Sequence, residues 1–164
     1  TFVDAVEMIR FDSEGRLNQE YTDDKVKTKL KGLEKVVIPG FYGRSYEGNV
    51  KTFSRGGSDI TGSIIARGVK ADLYENWTDV SGFLICDPRI VPLAKPIRQI
   101  TYKELRELSY MGASVLHSEA IFPVMKGKIP INIKNIHLLT FVLPLNHSKK
   151  DFIFSPFNCS YFIL

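Results

Sequence analysis

Apolar residues recur along this chain with two alternating spacings, one typical of helices and one typical of strands. Helical spacing and capping residues predict helices over residues 23–33, 59–67, 101–110 and 118–125. Short β-branched or aromatic runs predict strands at residues 35–38, 50–53, 73–77, 83–86 and 129–133. Because strands alternate with helices, the pattern predicts an α/β fold with a mainly parallel sheet.

Residues with capping chemistry support the predicted helix ends. Thr22 precedes the first helix as a candidate N-cap, and Asp59 stands in the first turn of the second. Gly68 is expected to close that second helix, since glycine adopts the left-handed conformation of a C-cap. Thr101 and Glu104 have the spacing of a capping box at the start of the third helix.

One edge of the predicted sheet is suited to ligand binding. Ligands of open α/β sheets bind beyond the carboxyl ends of the strands. The loops at residues 40–57 and 78–82 each follow a predicted strand and contain glycine. We therefore expect both loops at this edge.

The last part of the chain, residues 136–164, has a different character. It contains no glycine, six aromatic residues and no clear helical or strand period. One interpretation is an extension without regular structure. The other is a pair of strands that packs on the sheet edge.

Composition narrows the classes of function. The 164 residues suit one domain, with 44% hydrophobic and 24% charged residues. The net charge of +4 is spread along the chain, which argues against nucleic acid and fits anionic small molecules. No apolar run is long enough to cross a membrane, and Cys86 and Cys159 form no spaced pair. We therefore expect a cytoplasmic protein that binds neither membrane nor nucleic acid.

The segment from Arg55 to Asp59 is the strongest candidate for a ligand site. It places a cation, Gly56, Gly57, the hydroxyl of Ser58 and a carboxylate immediately before a helix. The glycines allow close backbone approach, and a helix start presents unpaired N–H groups to an anion. The structural alternative is a tight turn with Asp59 as a first-turn charge that stabilises the helix.

A second candidate site follows the predicted strand at residues 73–77. Thr78 and Asp79 can hydrogen-bond a ribose or a phosphate there, and Arg89 follows an Asp-Pro turn at residues 87–88. Turn formation alone also explains that Asp-Pro pair, and Arg89 is then a solvated side chain. His117, between two predicted helices, is interpreted as a structural histidine.

Metal-binding and nucleophile motifs are not found in the sequence. No group of His, Cys, Asp and Glu has metal-ligand spacing, and there is neither a Walker loop nor a nucleophile elbow. We therefore expect any Mg²⁺ to enter bound to substrate phosphates.

Taken together, these segments resemble aspartate kinases of the amino-acid kinase superfamily. The similar stretches cover about residues 2–135 and are VIPGFYG at 37–43, KTFSRGGSDITGSIIA at 51–66, ENWTDVSGF at 75–83, DPRIVP at 87–92, ITYKELRELSYMGASVLH at 100–117 and IPINIKN at 129–135. The Thr-Asp and Asp-Pro pattern is shared across the superfamily, including glutamate 5-kinases. The Ser-Arg-Gly-Gly-Ser-Asp-x-Thr run is much more specific to aspartate kinases.

The resemblance implies a three-layer αβα sandwich, here incomplete, and a reaction with ATP and Mg²⁺. The implied reaction is phosphorylation of the L-aspartate β-carboxylate to 4-phospho-L-aspartate, which feeds lysine, threonine and methionine synthesis. It also implies that residues 1–135 are the C-terminal, nucleotide-binding part of an amino-acid kinase catalytic domain. Residues 136–164 are then an atypical tail of uncertain structure, and no ACT regulatory domain is expected.

Roles carry over from the family residue by residue. The resemblance implies that Arg55 holds the substrate α-carboxylate in a pocket lined by Phe41, with Gly56, Gly57 and Ser58 around it. Asp59 is implied to be catalytic, because it fixes a catalytic lysine. The residues implied to contact the nucleotide are Thr78, Asp79, Leu84, Arg89 and Ser114.

Three departures from the family pattern qualify this expectation. The Lys-Phe-Gly-Gly-type segment with the catalytic lysine does not occur in this sequence, so we expect little kinase activity from the chain alone. Ser114 stands where members often have lysine, and Leu84 stands where they commonly have tyrosine. The tail resembles no ACT sequence.

The remaining possibilities concern function and assembly. A non-catalytic nucleotide-binding or interaction remnant is one alternative function, and a related kinase such as glutamate 5-kinase is another. Association with a separate N-terminal half or with a second copy of the chain is the expected mode of assembly.

Overall fold

The computed structural model describes residues 1–80, 82–87, 89–111, 115–138, 151–154 and 162–163, the last two ranges as backbone strands. The helices are α1 (Gln19–Lys29), α2 (Gly57–Val69), α3 (Tyr102–Tyr110) and α4 (Ser118–Gly127). The strands are β1 (Tyr42–Arg44), β2 (Val50–Thr52), β3 (Leu73–Thr78), β4 (Ile131–Asn135), β5 (Asp151–Phe154) and β6 (Phe162–Ile163). Two short 3₁₀ turns lie at Ala5–Glu7 and Ile136–Leu138.

The main sheet has the order β4-β3-β5-β6 and confirms the predicted α/β class. Strand β3 pairs in parallel with both β4 and β5, and β6 pairs antiparallel with β5. Strands β1 and β2 form a separate antiparallel pair. Parallel neighbours of β3 require crossover connections, and α3 and α4 lie in the connection between β3 and β4.

The buried core lies around α2. One cluster joins α2 to α1 and to Tyr74 of β3, and the other joins α2 to α3 and α4. Ile131 and Ile133 of β4 pack against this second cluster. Helix α2 is therefore buried around most of its circumference, and its N-terminus is held in a fixed position relative to β3.

Helix α1 begins earlier than the apolar spacing predicts. Its N-cap is Asn18, whose side chain accepts a hydrogen bond of 3.1 Å from the backbone N–H of Tyr21. The prediction of Thr22 as the cap is wrong, because Thr22 is buried inside the helix and its hydroxyl oxygen accepts from the backbone N–H of Arg10. Apolar periodicity locates the buried face of a helix but not its first residue.

Helix α2 is longer than predicted at both ends. It ends with Lys70 in the left-handed conformation, so the prediction of Gly68 as the closing residue is wrong. Gly68 instead lies within the helix, where a Cβ would be 2.7 Å from Cβ of Val26 in α1. A glycine here permits close helix packing rather than a helix end.

Helices α3 and α4 occur where the sequence predicts them. The capping box is present: Thr101 Oγ1 accepts from the backbone N–H of Glu104 at 3.3 Å, and Glu104 Oε2 accepts from the backbone N–H of Thr101 at 2.9 Å. Helix α4 begins after His117, whose Nδ1 accepts from the backbone N–H of Glu119 at 3.4 Å.

Some of the predicted strands are confirmed, and others are reduced to single bridges. Strands β2 and β3 lie where the sequence predicts them, and β4 begins two residues late, after Pro130. The predicted strand at 35–38 is reduced to one bridge between Val37 and Phe2. The predicted strand at 83–86 is a bridge from Leu84 to Pro96, outside the main sheet.

For the tail, the structure favours the strand-pair interpretation, with β5 and β6 extending the sheet beside β3. Residues 139–150 lie outside the described part of the chain. Cys86 carries a free, half-buried thiol, and Cys159 is also outside that part. Among the described helices, none combines the length and apolarity needed to cross a bilayer.

Candidate active site

The N-terminus of α2 has no side-chain cap from its own N-cap residue. Its N-cap, Gly56, adopts a left-handed φ of 60°, and a Cβ there would lie 2.6 Å from Cγ of His117. Only glycine therefore fits this position without displacing His117. The first backbone N–H groups of the helix have no partner within the helix, so they are available to an anion.

Arg55 precedes this helix start and is exposed to solvent. Among the described residues it forms no ion pair. An exposed guanidinium beside unpaired N–H groups is well suited to a bidentate contact with a carboxylate. Ser58 lies half-buried in the first turn of the same helix.

Phe41 lies directly against this first turn. It has a positive φ of 69°, which is rare for an aromatic residue, and its side chain is 46% exposed. Its backbone N–H donates to Thr61 Oγ1 at 3.1 Å, and its carbonyl accepts from the N–H of Phe53 at 2.9 Å. A Cβ at Gly57 would lie 2.8 Å from Phe41 Cα, so Gly57 allows this close approach. Strained backbone held in this way is typical of ligand sites.

Asp59 is held in place by hydrogen bonds from two side chains of β3. Asn76 Nδ2 donates to its Oδ1 at 3.1 Å, and the hydroxyl of Tyr74 donates to its backbone carbonyl at 3.3 Å. Burial raises the pKa of the Asp59 carboxyl, while the Asn76 hydrogen bond, the backbone amide of His117 and the charge of the His117 ring act to lower it. The carboxylate is thus held against β3 by the neutral amide of Asn76, while the charge of the His117 ring also acts on it.

Asn76 and Tyr74 were missed by the sequence interpretation, and His117 was interpreted as structural. Asn76 carries a signal that was available: it is an amide within an otherwise buried strand run, where apolar residues are expected. Tyr74 is fully buried, and burial raises the pKa of its phenol well above the usual range. Its hydroxyl therefore acts as a neutral donor.

Thr78 and Asp79 lie at the carboxyl end of β3, as the sequence predicts. Thr78 Oγ1 donates to Asp79 Oδ1 at 3.2 Å, and Asp79 is exposed. Thr78 follows Asn76 by two residues, so both lie toward the same end of β3 as the start of α2. The structure therefore brings the first and second candidate sites to one edge of the sheet.

The structure says less about three of the predicted nucleotide contacts, namely Arg89, Leu84 and Ser114. Among the described residues, Arg89 contacts Asp87, with Nη2 to Oδ2 at 2.6 Å and Nε to Oδ1 at 3.0 Å. This pairing lowers the pKa of Asp87 to about 2. Leu84 is half-buried opposite Pro96, and Ser114 lies outside the described residues.

A cavity of about 660 Å³ lies at the other end of α2 and contains none of the predicted site residues. It is lined by Arg67, Lys128 and Asp72 among others, and Arg67 is already paired with Asp23 at 2.8 Å. Because Asp72 precedes β3, the cavity lies at the amino ends of the strands, away from Asp59 and Thr78. The size of a cavity alone therefore does not identify the ligand site.

Within the described residues no three His, Cys, Asp or Glu side chains are grouped as a metal site would require. The open N-terminus of α2, with Arg55 exposed beside it, instead provides groups for an anion. Thr78 and Asp79 add a hydroxyl and a carboxylate at the neighbouring strand end. This arrangement can hold a carboxylate-bearing or phosphate-bearing ligand across the end of β3.

Most of this chain is similar to known proteins. Residues 3–135 match the amino acid kinase family. Aspartokinase 3 of Bacillus subtilis is 54% identical over 100 residues, which is 61% of this chain and 22% of that protein. The crystal structure of Clostridium acetobutylicum aspartate kinase superimposes with a TM-score of 0.76 at 64% identity, covering 82% of this chain and 31% of that one.

The structure of Escherichia coli aspartokinase III in complex with aspartate and ADP superimposes with a TM-score of 0.75 at 29% identity. It covers 82% of this chain and 32% of that one. The chain thus spans between a fifth and a third of the length of these relatives.

Proposed function

We propose, since this chain belongs to the amino acid kinase family, that it supplies the substrate loop and nucleotide loop of an aspartate kinase. The reaction is transfer of the γ-phosphoryl group of ATP to the β-carboxylate of L-aspartate, giving 4-phospho-L-aspartate. The observation that carries this proposal is the uncapped start of α2, which lies between the exposed Arg55 and the buried face of Asp59.

Arg55 binds the α-carboxylate of L-aspartate in this proposal. Its guanidinium has no ion-pair partner among the described residues, so binding does not require an internal contact to break. Gly56 and Gly57 keep the backbone free of side chains, and Ser58 adds a hydroxyl. The partly exposed ring of Phe41 forms the apolar wall of the same pocket.

Asp59 orients the reacting end by pairing with a cationic group. Its carboxylate is held by neutral donors and has no cationic partner among the described ion pairs. In aspartate kinases, the family resemblance assigns that cation to a lysine. Phosphoryl transfer depends on positioned charges more than on covalent catalysis, so such a pair stabilises the transition state.

The nucleotide lies across the end of β3 in this proposal. Thr78 and Asp79 contact it there, and Leu84 provides apolar contact. Ser114, which is outside the described residues, is the remaining candidate for a nucleotide contact. Arg89 reaches the phosphates by exchanging the Asp87 carboxylate for a phosphate oxygen, which is the same kind of charge-assisted partner.

Mg²⁺ enters this site on the phosphate oxygens of ATP rather than on a cage of protein ligands. Magnesium usually keeps several waters and is bound through substrate phosphates, which is the basis of this part of the proposal. When bound, the ion neutralises charge on the transferring phosphoryl group.

The proposal extends to the organisation of the chain. Residues 1–135 form the C-terminal part of an amino-acid kinase catalytic domain, and residues 136–164 form an atypical tail. Assembly occurs with a second copy or with a chain that carries the catalytic lysine. The cytoplasm is the proposed location.

Calorimetric titration with L-aspartate, L-glutamate and MgATP tests this function. We expect the chain to bind L-aspartate more tightly than L-glutamate, and to bind MgATP. Arg55→Ala is expected to weaken L-aspartate binding about tenfold or more, because a charge-assisted bidentate contact is lost. The affinity for MgATP is expected to stay the same.

Arg44→Ala is the matched control, since Arg44 is another exposed arginine, at the end of β1, and is not one of the predicted site residues. It is expected to leave both affinities unchanged. A chain that binds MgATP but no L-aspartate would be a nucleotide-binding module, and this result would contradict the proposal. Preference for L-glutamate would instead indicate a related amino acid kinase.

A further inference from the structure

Asn76 is a buried amide in the middle of β3. Its side chain is 1% exposed, and the neighbouring Tyr74, Glu75 and Trp77 are also buried. Burying an amide in such surroundings costs free energy unless hydrogen bonds replace its contacts with water. The packing of the strand alone would be served as well by an apolar residue of similar size.

The contacts of Asn76 are directed at the start of α2. Its Nδ2 donates to Asp59 Oδ1 at 3.1 Å and lies 3.4 Å from the hydroxyl of Tyr74. That hydroxyl donates to the backbone carbonyl of Asp59 at 3.3 Å. Two side chains of β3 therefore hold one residue of α2, at its carboxylate and at its backbone.

The two side chains of β3 that donate to Asp59, Asn76 and Tyr74, are uncharged, and the His117 ring is the neighbouring group whose charge acts on this carboxyl. A neutral amide fixes the direction of a carboxylate without cancelling its charge, whereas a lysine or arginine would do both. The carboxylate remains available to a cation brought by the reaction.

We propose that Asn76 is a positioning residue, which fixes the orientation of the Asp59 carboxylate for the cationic group of the phosphoryl-transfer site. This inference rests on the proposed function for the identity of that cationic group. The geometry of the Asn76–Asp59 contact does not depend on it. In this proposal Asn76 acts through Asp59, since its side chain is 1% exposed and its amide contacts Asp59 and Tyr74.

Carboxyl ¹³C NMR on the full chain tests the proposal, with Asp59 assigned from the spectrum of Asp59→Asn. Asn76→Leu keeps the approximate shape of the side chain and removes the donor. We expect the pKa of Asp59 to rise further, because the lost hydrogen bond lowers it in the native protein. We also expect side-chain couplings of Asp59 to change from those of one rotamer to an average over several.

Asn76→Asp provides a second readout that a purely structural role would not produce. Two carboxyl groups would then share one hydrogen bond, and Asp59 is expected to titrate in two coupled steps. Asn132→Leu is the matched control, since Asn132 is an exposed asparagine on the adjacent strand β4. It is expected to leave the titration and the couplings of Asp59 unchanged.

The outcomes separate this inference from the proposed function. An unchanged Asp59 titration and unchanged couplings in both Asn76 variants would overturn the positioning role, whether or not the chain binds substrate. Equal changes in the Asn132 control would overturn it as well. Failure of the native chain to bind L-aspartate would count against the proposed function only, because the NMR measurements need no ligand.

Discussion

At the scale of single residues, the site depends on how Asp59 keeps its charge near a buried strand. Desolvation raises the pKa of its carboxyl, and hydrogen bonds to Asn76 and to the backbone of His117 oppose that rise. Tyr74 cannot supply a competing charge near neutral pH, since burial raises its pKa well above the usual range. The result is an anion that is costly to bury and is therefore ready to pair with a cation.

The raised pKa of Asp59 predicts a pH dependence of stability. A carboxyl whose pKa is higher in the folded than in the unfolded protein contributes stability fully below the unfolded pKa, and that contribution is lost as pH rises through the folded pKa. Asp59→Asn lacks this titration. We therefore expect the stability of the variant relative to the native chain to rise between about pH 4 and the folded pKa of Asp59.

Urea unfolding of both proteins at closely spaced pH values measures this difference. Tyr74 of β3 and His117 before α4 face Asp59 and are present in both proteins. A stability difference that falls with pH over this window would show that burial does not dominate at Asp59.

Gly56 gives a second residue-scale prediction, because it combines a left-handed φ with close contact to His117. Gly56→Ala is expected to lower the free energy of unfolding by at least about 1 kcal/mol more than Gly32→Ala. Gly32 has a similar φ of 77°, but a Cβ there would meet no atom within 4 Å, so it carries only the backbone strain of about 1–2 kcal/mol. Denaturant unfolding compares the two, and equal losses would contradict a steric role for His117.

At the scale of elements, α2 connects the site to the core. Its first turn carries Ser58 and Asp59, and its middle contributes Ile64 and Ile65, both fully buried. Its last turn packs on α1 through Gly68. A helix fixed along its whole length holds its N-terminus at a defined distance from β3, which the Asp59–Asn76 contact requires.

The packing of α2 on α1 predicts an unusual effect of Gly68→Ala. In an exposed helix this change would stabilise by roughly 1 kcal/mol, because alanine is the better helix former. Here the added Cβ meets Val26, and overpacking typically costs about 1–3 kcal/mol. We therefore expect a net loss of about 1 kcal/mol in the free energy of unfolding.

A double-mutant cycle with Val26→Ala checks the cause of this loss. The smaller side chain at position 26 makes room for the new methyl group. Gly68→Ala should then be less harmful in the Val26→Ala background than in the native one. Additive effects of the two changes would exclude a direct clash.

At the scale of the whole molecule, β3 is the central strand on which both the site and the sheet depend. It pairs with β4 on one side and with β5 on the other. Its carboxyl end carries Thr78, and Asn76 in its middle reaches Asp59. The pairing with β5 comes from the tail, which lies beyond the region that matches the amino acid kinase family.

Shortening the chain to end at Asn135 tests whether the tail supports this strand. Removal of β5 would leave Leu73–Asn76 of β3 at an edge with unpaired backbone groups. We expect the β3 amides that face β5 to exchange with solvent about tenfold faster or more, measured by hydrogen exchange. Amides of α1 serve as the internal control, and unchanged exchange in β3 would show that the tail does not protect it.

Local sequence determined much of the fold. Apolar spacing predicts α2, α3, α4 and β3, because a period of 3.6 or 2 is set by residues next to one another. The capping box of α3 is also local, and it is confirmed. The start of α1 was missed because the cap residue, Asn18, lies outside the apolar pattern.

The sequence by itself also determined which loop has the chemistry of a binding site, since Arg55, two glycines and Asp59 are adjacent in the chain. Only the tertiary structure decided which partners Asp59 has. Asn76 is 17 residues away along the chain, and the pairing depends on how α2 packs against β3. Such contacts arise from packing between elements, whose distances and register no local pattern specifies.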